Sequence, residues 1–448
     1  MPDDSRFLVY GAYGYTGRLI AEEAAERGHD VVLAGRDELR TRDLADELDL
    51  PYRTFEVSLA ANQLDGIDLV LNCAGPFDRT ADSLVEACLE TETHYLDITG
   101  ELPVFERVKR RSDEAEDAGV TLLPGVGFDV VPTDCLAAHL KARLPDATHL
   151  SLALEADGGV SPGTLKTVLS DMTGGGAVRK EGKLRWVPVA HKTRAVDFGD
   201  GLHRAVTIPW GDVSTAHFTT GIPNVEVYLS LPAGARRALA ATNYLGGAFD
   251  STVGQSLLTR LVDRYVEGPD EEQRATGEAR VWGEVRSSRD RLVSRLRTPE
   301  TYELTVQAAL KCVEKTLDGE APTGYQTPAA AFGPDLVLEL PGVERIDLED
   351  GEVVARETGP DRKTPAATAD ASGPGADGAD GVDAADDPNL GAEAGAADGE
   401  DHPVEASAAD PGDESADGAP SPRALSDDTS PAIRRRGDAS GTSSGDDE

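Results

Sequence analysis

The sequence predicts an α/β fold: a doubly wound parallel sheet at the N-terminus, then an α+β domain, then a disordered acidic tail. Three observations lead there. Short apolar runs alternate with amphipathic stretches over the first 125 residues, which is the pattern of βαβ units. After Pro124 this gives way to strand-type alternation and Gly-rich turns. From about Thr358 the chain becomes Ala, Asp, Gly, Pro and Ser with almost no branched apolar residue, and such a segment cannot offset the entropy of ordering.

Taken in order, the apolar runs Phe7–Tyr10, Val31–Ala34, Tyr52–Val57, Asp68–Cys73, His94–Asp97 and Thr121–Leu123 read as strands. Helical patterns at Thr16–Arg27, Asp37–Leu48, Thr80–Glu90 and Glu101–Ala118 lie between them. Right-handed crossovers put helices on both faces and leave a ligand crevice at the carboxyl ends of the strands, beside the first and fourth. Residues 1–130 form this unit. From Pro145 to about Pro232 the alternation of Leu150–Leu154 and Val225–Leu229 indicates strands, with a turn at Gly174-Gly175-Gly176. Helical stretches at Ala233–Leu245 and Thr252–Tyr265 follow, then strand-like segments around Glu278–Ser287 and Arg291–Leu296. An amphipathic helix from about Glu300 to Asp318 closes the region. Residues 131–345 read as an inserted α+β domain whose last helix packs back on the first, and residues 357–448 as the disordered tail.

The chain has 448 residues and a formal charge of −39, from 43 basic and 82 acidic side chains. Nothing would offset phosphate repulsion at that density, which excludes a general nucleic-acid binder. The tail from residue 357 carries −17 and the rest −22, and only nine of the basic residues are lysine. A folded part this acidic and lysine-poor is expected of a halophilic protein, since molar salt screens charges over only about 3 Å. Within the tail, Arg434, Arg435 and Arg436 read as a solvated triplet. No apolar run reaches the roughly 18 residues of a membrane span, and the N-terminus lacks a signal pattern, so the expected location is cytoplasmic. Cys73, Cys88, Cys135 and Cys312 are too scattered for a disulfide framework or a zinc site, and His149, His191, His203 and His217 show no ligand spacing. No metal is expected.

The stretch Gly11-Ala12-Tyr13-Gly14-Tyr15-Thr16-Gly17 joins the first strand to the first helix. Gly11 permits the tight turn, Gly14 lets a pyrophosphate approach the backbone, and Gly17 lets helix and strand pack closely. The bare N–H groups at the helix start, including those of Tyr13, Tyr15 and Thr16, attract the anion. This makes the first unit a Rossmann-type dinucleotide domain. The second strand ends in Ala34-Gly35-Arg36 where an NAD site wants an acid, and the Arg36 guanidinium suits a 2′-phosphate. NADP(H) is the expected cofactor, although Asp37 is adjacent and Arg36 is also compatible with a solvated surface charge.

The fourth strand ends in Asn72-Cys73-Ala74-Gly75-Pro76-Phe77, which places a small-residue turn at the nicotinamide half, with Pro76 and Phe77 as a wall. The fifth ends in Tyr95-Leu96-Asp97-Ile98-Thr99-Gly100-Glu101. Asp97 and Glu101 point toward the crevice, and Tyr95 is a candidate proton donor. The same residues are equally compatible with structural roles, Glu101 at a helix start and Asp97 on nearby N–H groups. After the sixth strand, Asp129 is a further candidate acid and Asp134 reads as a helix cap. No dedicated catalytic acid stands out.

In Gly11–Gly17, Ala34–Arg36, Asn72–Phe77, Tyr95–Glu101 and Pro124–Asp134 the chain resembles the saccharopine dehydrogenase-like oxidoreductases, most closely the trans-acting enoyl reductases. Ser161-Pro162-Gly163-Thr164, Pro209-Trp210-Gly211-Asp212, Thr219–Asn224 and Thr327-Pro328-Ala329 agree, so the resemblance spans about residues 6–342. It implies an NADP-type oxidoreductase reducing a C=C or C=N bond of a small molecule, lipid-like in some relatives. A second domain with substrate and homodimer contacts, and peripheral membrane association in some members, are implied in the same way. The competing expectation is a non-catalytic NADP-binding regulatory or scaffold protein.

Overall fold

The computed structural model describes residues 5–156, 175–231, 233–234, 236 and 276–362. The predicted helices at Ala233–Leu245 and Thr252–Tyr265, the stretch Ser161–Thr164 and the tail beyond Arg362 lie outside the described residues, apart from the isolated positions 233, 234 and 236.

Seven parallel strands form the first sheet. β1 (Phe7–Tyr10) lies between β2 (Val31–Gly35) and β4 (Leu69–Asn72). Beyond β2 comes β3 (Tyr52–Thr54), and beyond β4 come β5 (His94–Asp97) and β6 (Thr121–Leu123). All of β1, β2 and β4 is buried, which is why these strands read as unbroken apolar runs: helices cover both faces. α1 (Tyr15–Glu26) turns Gly17, Ile20, Ala21 and Ala24 inward at helical spacing. α2 (Glu38–Leu48) starts at the Asp37 cap, whose carboxylate accepts from the Arg40 N–H at 3.1 Å.

Several expectations are corrected. The pattern over Glu101–Ala118 is two helices, α4 (Leu102–Lys109) and α5 (Ser112–Ala118). The ladder breaks where the Arg110 and Arg111 N–H groups bond back only three residues, to Arg107 and Val108. The third strand stops at Thr54 rather than Val57. A seventh strand, β15 (Gly324–Tyr325), arrives from the far end of the chain and pairs with Thr121 and Leu122 of β6.

α6 (Val131–Arg143) leads into the second sheet, in the order β10 (Thr193–Asp197), β11 (Leu202–Thr207), β12 (Asn224–Ser230), β7 (His149–Ala156), β13 (Glu278–Arg286), β14 (Arg291–Pro299), β16 (Glu344–Glu349) and β17 (Glu352–Thr358). The hairpin β8 (Gly176–Lys180) and β9 (Lys183–Val187) attaches to β12. Between β11 and β12 runs α7 (Asp212–Thr220), invisible as a pattern because most of its residues are buried and four of the buried ones are polar: Asp212, Ser214, Thr215 and Thr220. α8 (Thr301–Leu317) is capped by Glu300, which accepts from the Tyr302 N–H at 2.8 Å. It returns to the first sheet, with the Tyr302 ring edge-on to Tyr15 of α1 at 4.9 Å. α9 (Pro328–Phe332) starts at the Thr327 cap.

The tail boundary at 357 is also corrected. β17 runs to Thr358, the Gly359 N–H donates to Val343, and Glu357 pairs with the buried guanidinium of Arg345. That buried cation requires an anionic partner, so β17 extends past the compositional change. Among the described residues, no helix is long and apolar enough to cross a membrane.

Candidate functional site

The turn after β1 is built for close backbone approach. Gly11 has φ +84°, and a Cβ there would sit 2.8 Å from the Ala74 nitrogen. A Cβ on Gly17 would collide with the Gly11 carbonyl oxygen. Gly14 is the N-cap of α1, no side chain caps this terminus, and its first turn holds no acidic residue. The first turn of α1, uncapped by a side chain, and the helix dipole therefore stand at the carboxyl end of β1, the arrangement a pyrophosphate needs. Tyr13 is half-buried in this turn and lies across Gly35, where any side chain at position 35 would strike its ring. Tyr15 and Thr16 open α1.

At the end of β2, Arg36 is exposed. The neighbouring Asp37 caps α2 through its Oδ1. The turn after β4 is held from within. Asn72 Oδ1 accepts from the Ala74 N–H at 3.0 Å, and Asn72 Nδ2 donates to Thr80 Oγ1 at 3.1 Å. Gly75 and Pro76 face solvent, whereas Phe77 is buried as the first residue of α3 (Phe77–Glu90). Of the two residues expected as a wall, Pro76 is thus exposed and the Phe77 ring packs against the turn at Gly75. Burial pushes the Cys73 thiol up, away from nucleophile chemistry.

The three residues named as candidate acids occupy different environments. Tyr95 is fully buried; its hydroxyl donates to Asp97 Oδ2 at 2.8 Å and accepts from Asn72 Nδ2 at 3.2 Å. Burial, then the Asp97 charge, pushes the phenol well above its usual value. Tyr95 therefore meets the crevice only through Asp97. The other Asp97 oxygen accepts from the N–H groups of Thr99 at 3.0 Å and Gly125 at 2.9 Å. Burial pushes the Asp97 carboxyl up to about 6 against the pull of those donors. Glu101 accepts from the N–H groups of Phe77 at 2.8 Å and Asp78 at 2.9 Å. It caps α3 across the crevice rather than its own helix.

Asp129 differs. It is half-buried, its carboxylate accepts no hydrogen bond from a described residue, and burial alone pushes it up to about 7. Its Oδ2 lies 2.6 Å from where a Cβ on Gly100 would stand. Trp210 Nε1 donates to the Asp129 carbonyl at 2.8 Å, and Trp210 also bridges to Glu101. Asp212 is fully buried, with Oδ2 unpartnered among the described residues, and is pushed well up by burial and by the charges of Asp134 and Asp129. Asp134, expected as a cap, accepts from Thr219 Oγ1 at 2.5 Å and from the Ala329 N–H at 2.9 Å, tying α6 to α7 and α9. The Phe128 N–H donates to Thr305 Oγ1 of α8 at 3.0 Å. Trp210, Asp212, Tyr302 and Thr305 were not singled out as site residues in the sequence. Only Trp210 and Asp212 carried a signal, in the run Pro209–Asp212.

In the second sheet His203 stands between Glu155 at 2.6 Å and Asp200 at 3.1 Å. Arg280 spans the same two carboxylates at 3.1 and 2.9 Å, so the positive charge this cluster asks for is already supplied by the chain.

Residues 7–123 match the family model of the saccharopine dehydrogenase NADP binding domain. The first unit is a saccharopine dehydrogenase-type NADP-binding domain. The glycine turn of this domain fits that cofactor, because a side chain at Gly11 would strike Ala74 and one at Gly17 the Gly11 carbonyl, so the turn keeps its backbone bare and tight. A putative trans-acting enoyl reductase of Mycobacterium tuberculosis is 31% identical over 186 residues, covering 38% of this chain and 44% of the relative. A trans-acting enoyl reductase of Mycobacterium ulcerans is 31% identical over 147 residues, covering 30% and 35%. A lipid droplet localized protein of Caenorhabditis elegans is 26% identical over 202 residues, covering 39% and 47%. The chain thus matches less than half the length of these relatives. Among solved structures, apo saccharopine dehydrogenase (L-Glu forming) from Saccharomyces cerevisiae aligns over 77% of this chain and all of its own, with TM-score 0.54 and 12% identity. That likeness is one of fold.

Proposed function

We propose that the chain is an NADP(H)-dependent oxidoreductase that reduces the C=C bond of a neutral, lipid- or isoprenoid-like enoyl substrate. Asp129 is the observation that carries this reading. It is a half-buried carboxyl without a hydrogen-bond partner among the described residues, lifted to about 7, on the loop after β6 at the crevice end of the sheet. A group poised there holds a proton at neutral pH and can release it, as general acid catalysis requires. NADPH, when bound, supplies the hydride.

Gly11, Gly14 and Gly17 with the first turn of α1 hold the pyrophosphate, and Arg36 holds the 2′-phosphate. Ala74, Gly75 and Pro76 form the wall on the nicotinamide side. Asp97 fixes the loops after β5 and β6 through Thr99 and Gly125, and Gly100 leaves room for the Asp129 carboxylate. No described lysine or arginine offsets the burial of Asp129. A carboxyl in that state disfavours a dicarboxylic amino-acid conjugate and suits an uncharged one. The names of the mycobacterial relatives support the enoyl class.

The test mixes the full chain with NADPH and a panel of enoyl thioesters, isoprenoids and cyclic imines in molar salt, following loss of the reduced-nicotinamide absorbance. Turnover of an enoyl substrate that falls at least about 10²-fold in Asp129→Asn supports the reading. Tight NADPH binding without turnover of any substrate indicates a binding protein instead.

A further inference from the structure

We propose that Arg40 is a second cation for the 2′-phosphate of NADP(H), held in place by Tyr13. The inference rests on the NADP(H) reading above and adds a specificity residue to it. The Arg40 guanidinium lies 4.5 Å from the centre of the Tyr13 ring, and its Nη2 donates to the Tyr13 carbonyl at 3.3 Å. Tyr13 in turn packs against Gly35, the last residue of β2, where a Cβ would strike its Cε1. A stack on the ring face fixes the guanidinium plane, and one carbonyl leaves most of its five N–H donors open. The result is a pre-oriented fork beside the end of β2, where the adenosine ribose of a dinucleotide lies in this fold.

The charges around the fork point to an anion. Arg36 makes no ion pair with any described residue and acts on the Tyr10 hydroxyl at the end of β1. Arg40 meets only a carbonyl and a ring. Arg18, Arg27, Arg107 and Arg143, by contrast, each pair with a carboxylate. Asp37, between the two arginines, directs its carboxylate to the Arg40 backbone N–H, leaving both guanidinium heads open. Two unpaired guanidinium groups flanking one turn, in a chain of net charge −39, match a dianionic phosphate better than a neutral ribose.

Calorimetric titration of the full chain with NADPH, NADH, adenosine 2′,5′-bisphosphate and 5′-AMP at fixed salt tests this. Arg40→Met keeps the aliphatic stem and removes the charge. It should weaken NADPH and the bisphosphate about tenfold, while NADH and 5′-AMP shift less than about twofold, the discrimination expected of a charge-assisted contact. Tyr13→Phe should retain the preference for the 2′-phosphate and Tyr13→Ala should lose part of it. Equal weakening of all four ligands by Arg40→Met, with an unchanged melting temperature, would show that Arg40 only shapes the glycine turn and would overturn the proposal. Unchanged binding of all four would overturn it too. Failure of the wild-type chain to bind NADPH sinks the underlying reading instead, which separates the two.

Discussion

The Tyr95 hydroxyl donates to the Asp97 carboxylate at 2.8 Å, two residues further along β5 and hence on the same face of the strand. Through its other oxygen Asp97 holds the Thr99 and Gly125 N–H groups, so one carboxylate joins the loops after β5 and β6. Asn72 extends the network to the turn after β4. The pair therefore positions the loops that carry Gly100 and Asp129.

That arrangement predicts different outcomes for two substitutions. Tyr95→Phe leaves Asp97 and Asn72 short of one buried partner and should cost about 1–3 kcal/mol of stability. Turnover should fall less than about tenfold, because the phenol does not reach the crevice. A loss of 10²-fold or more in a variant that still melts cooperatively would restore Tyr95 as the proton donor. Asp97→Asn, which must place an amide N–H against one of three donors, should destabilise more.

Asp129 makes a pH prediction with a definite sign. Its carboxyl is raised from 3.8 to about 7 in the folded chain. Between those values the folded state binds more protons than the unfolded state, so stability falls as pH rises through that window. Asp129→Asn removes the titration. The difference in stability between the variant and the wild type should therefore shift in favour of the variant from pH 4 to pH 7 and level off above. Urea denaturation at several pH values measures it, and a difference that stays flat would show that Asp129 ionises normally.

How far the sequence revealed this site follows from how each residue is held. The glycine turn and the ends of β2, β4, β5 and β6 were legible because spacing and flanking periodicity act locally. Glu101 was not, since its carboxylate caps α3, a helix 24 residues earlier in the chain. Trp210, which meets Asp129 and Glu101, and the buried Asp212 lie just before and at the start of α7, and that helix is buried and rich in polar residues, so it carries no amphipathic signal. β15 has only two residues, too few for any alternation to show, and its place is set by pairing with β6.

Gly100 offers a probe of Asp129 that leaves its carboxyl in the chain. A Cβ there would lie 2.6 Å from Asp129 Oδ2 and 3.2 Å from its Cβ. The side chain would have to swing away, at an overpacking cost of about 1–3 kcal/mol. Gly100→Ala should thus lower kcat while leaving the dissociation constant for NADPH within about twofold, because the glycine turn is untouched. Loss of NADPH binding in this variant would mean that Asp129 and the cofactor cradle are coupled more directly than the hydrogen bonds indicate.

The last described strands close on Arg345, which is 3% exposed. Glu357 accepts from its Nε at 2.9 Å and its Nη2 at 2.6 Å, and Asp335 approaches Nη2 at 2.8 Å. Cutting after Arg356 removes Glu357 together with the backbone bonds from Gly359 to Val343 and from Gly342 to Pro360. A buried cation that keeps only one exposed carboxylate is poorly compensated. That truncation should lower the melting temperature by several degrees, at roughly 2–4 °C per kcal/mol for a domain of moderate size. Cutting after Arg362 retains every one of these contacts and should leave the melting temperature and NADPH binding unchanged. Equal melting curves for the two truncations would show that Asp335 alone balances Arg345 and that β17 adds nothing to the fold.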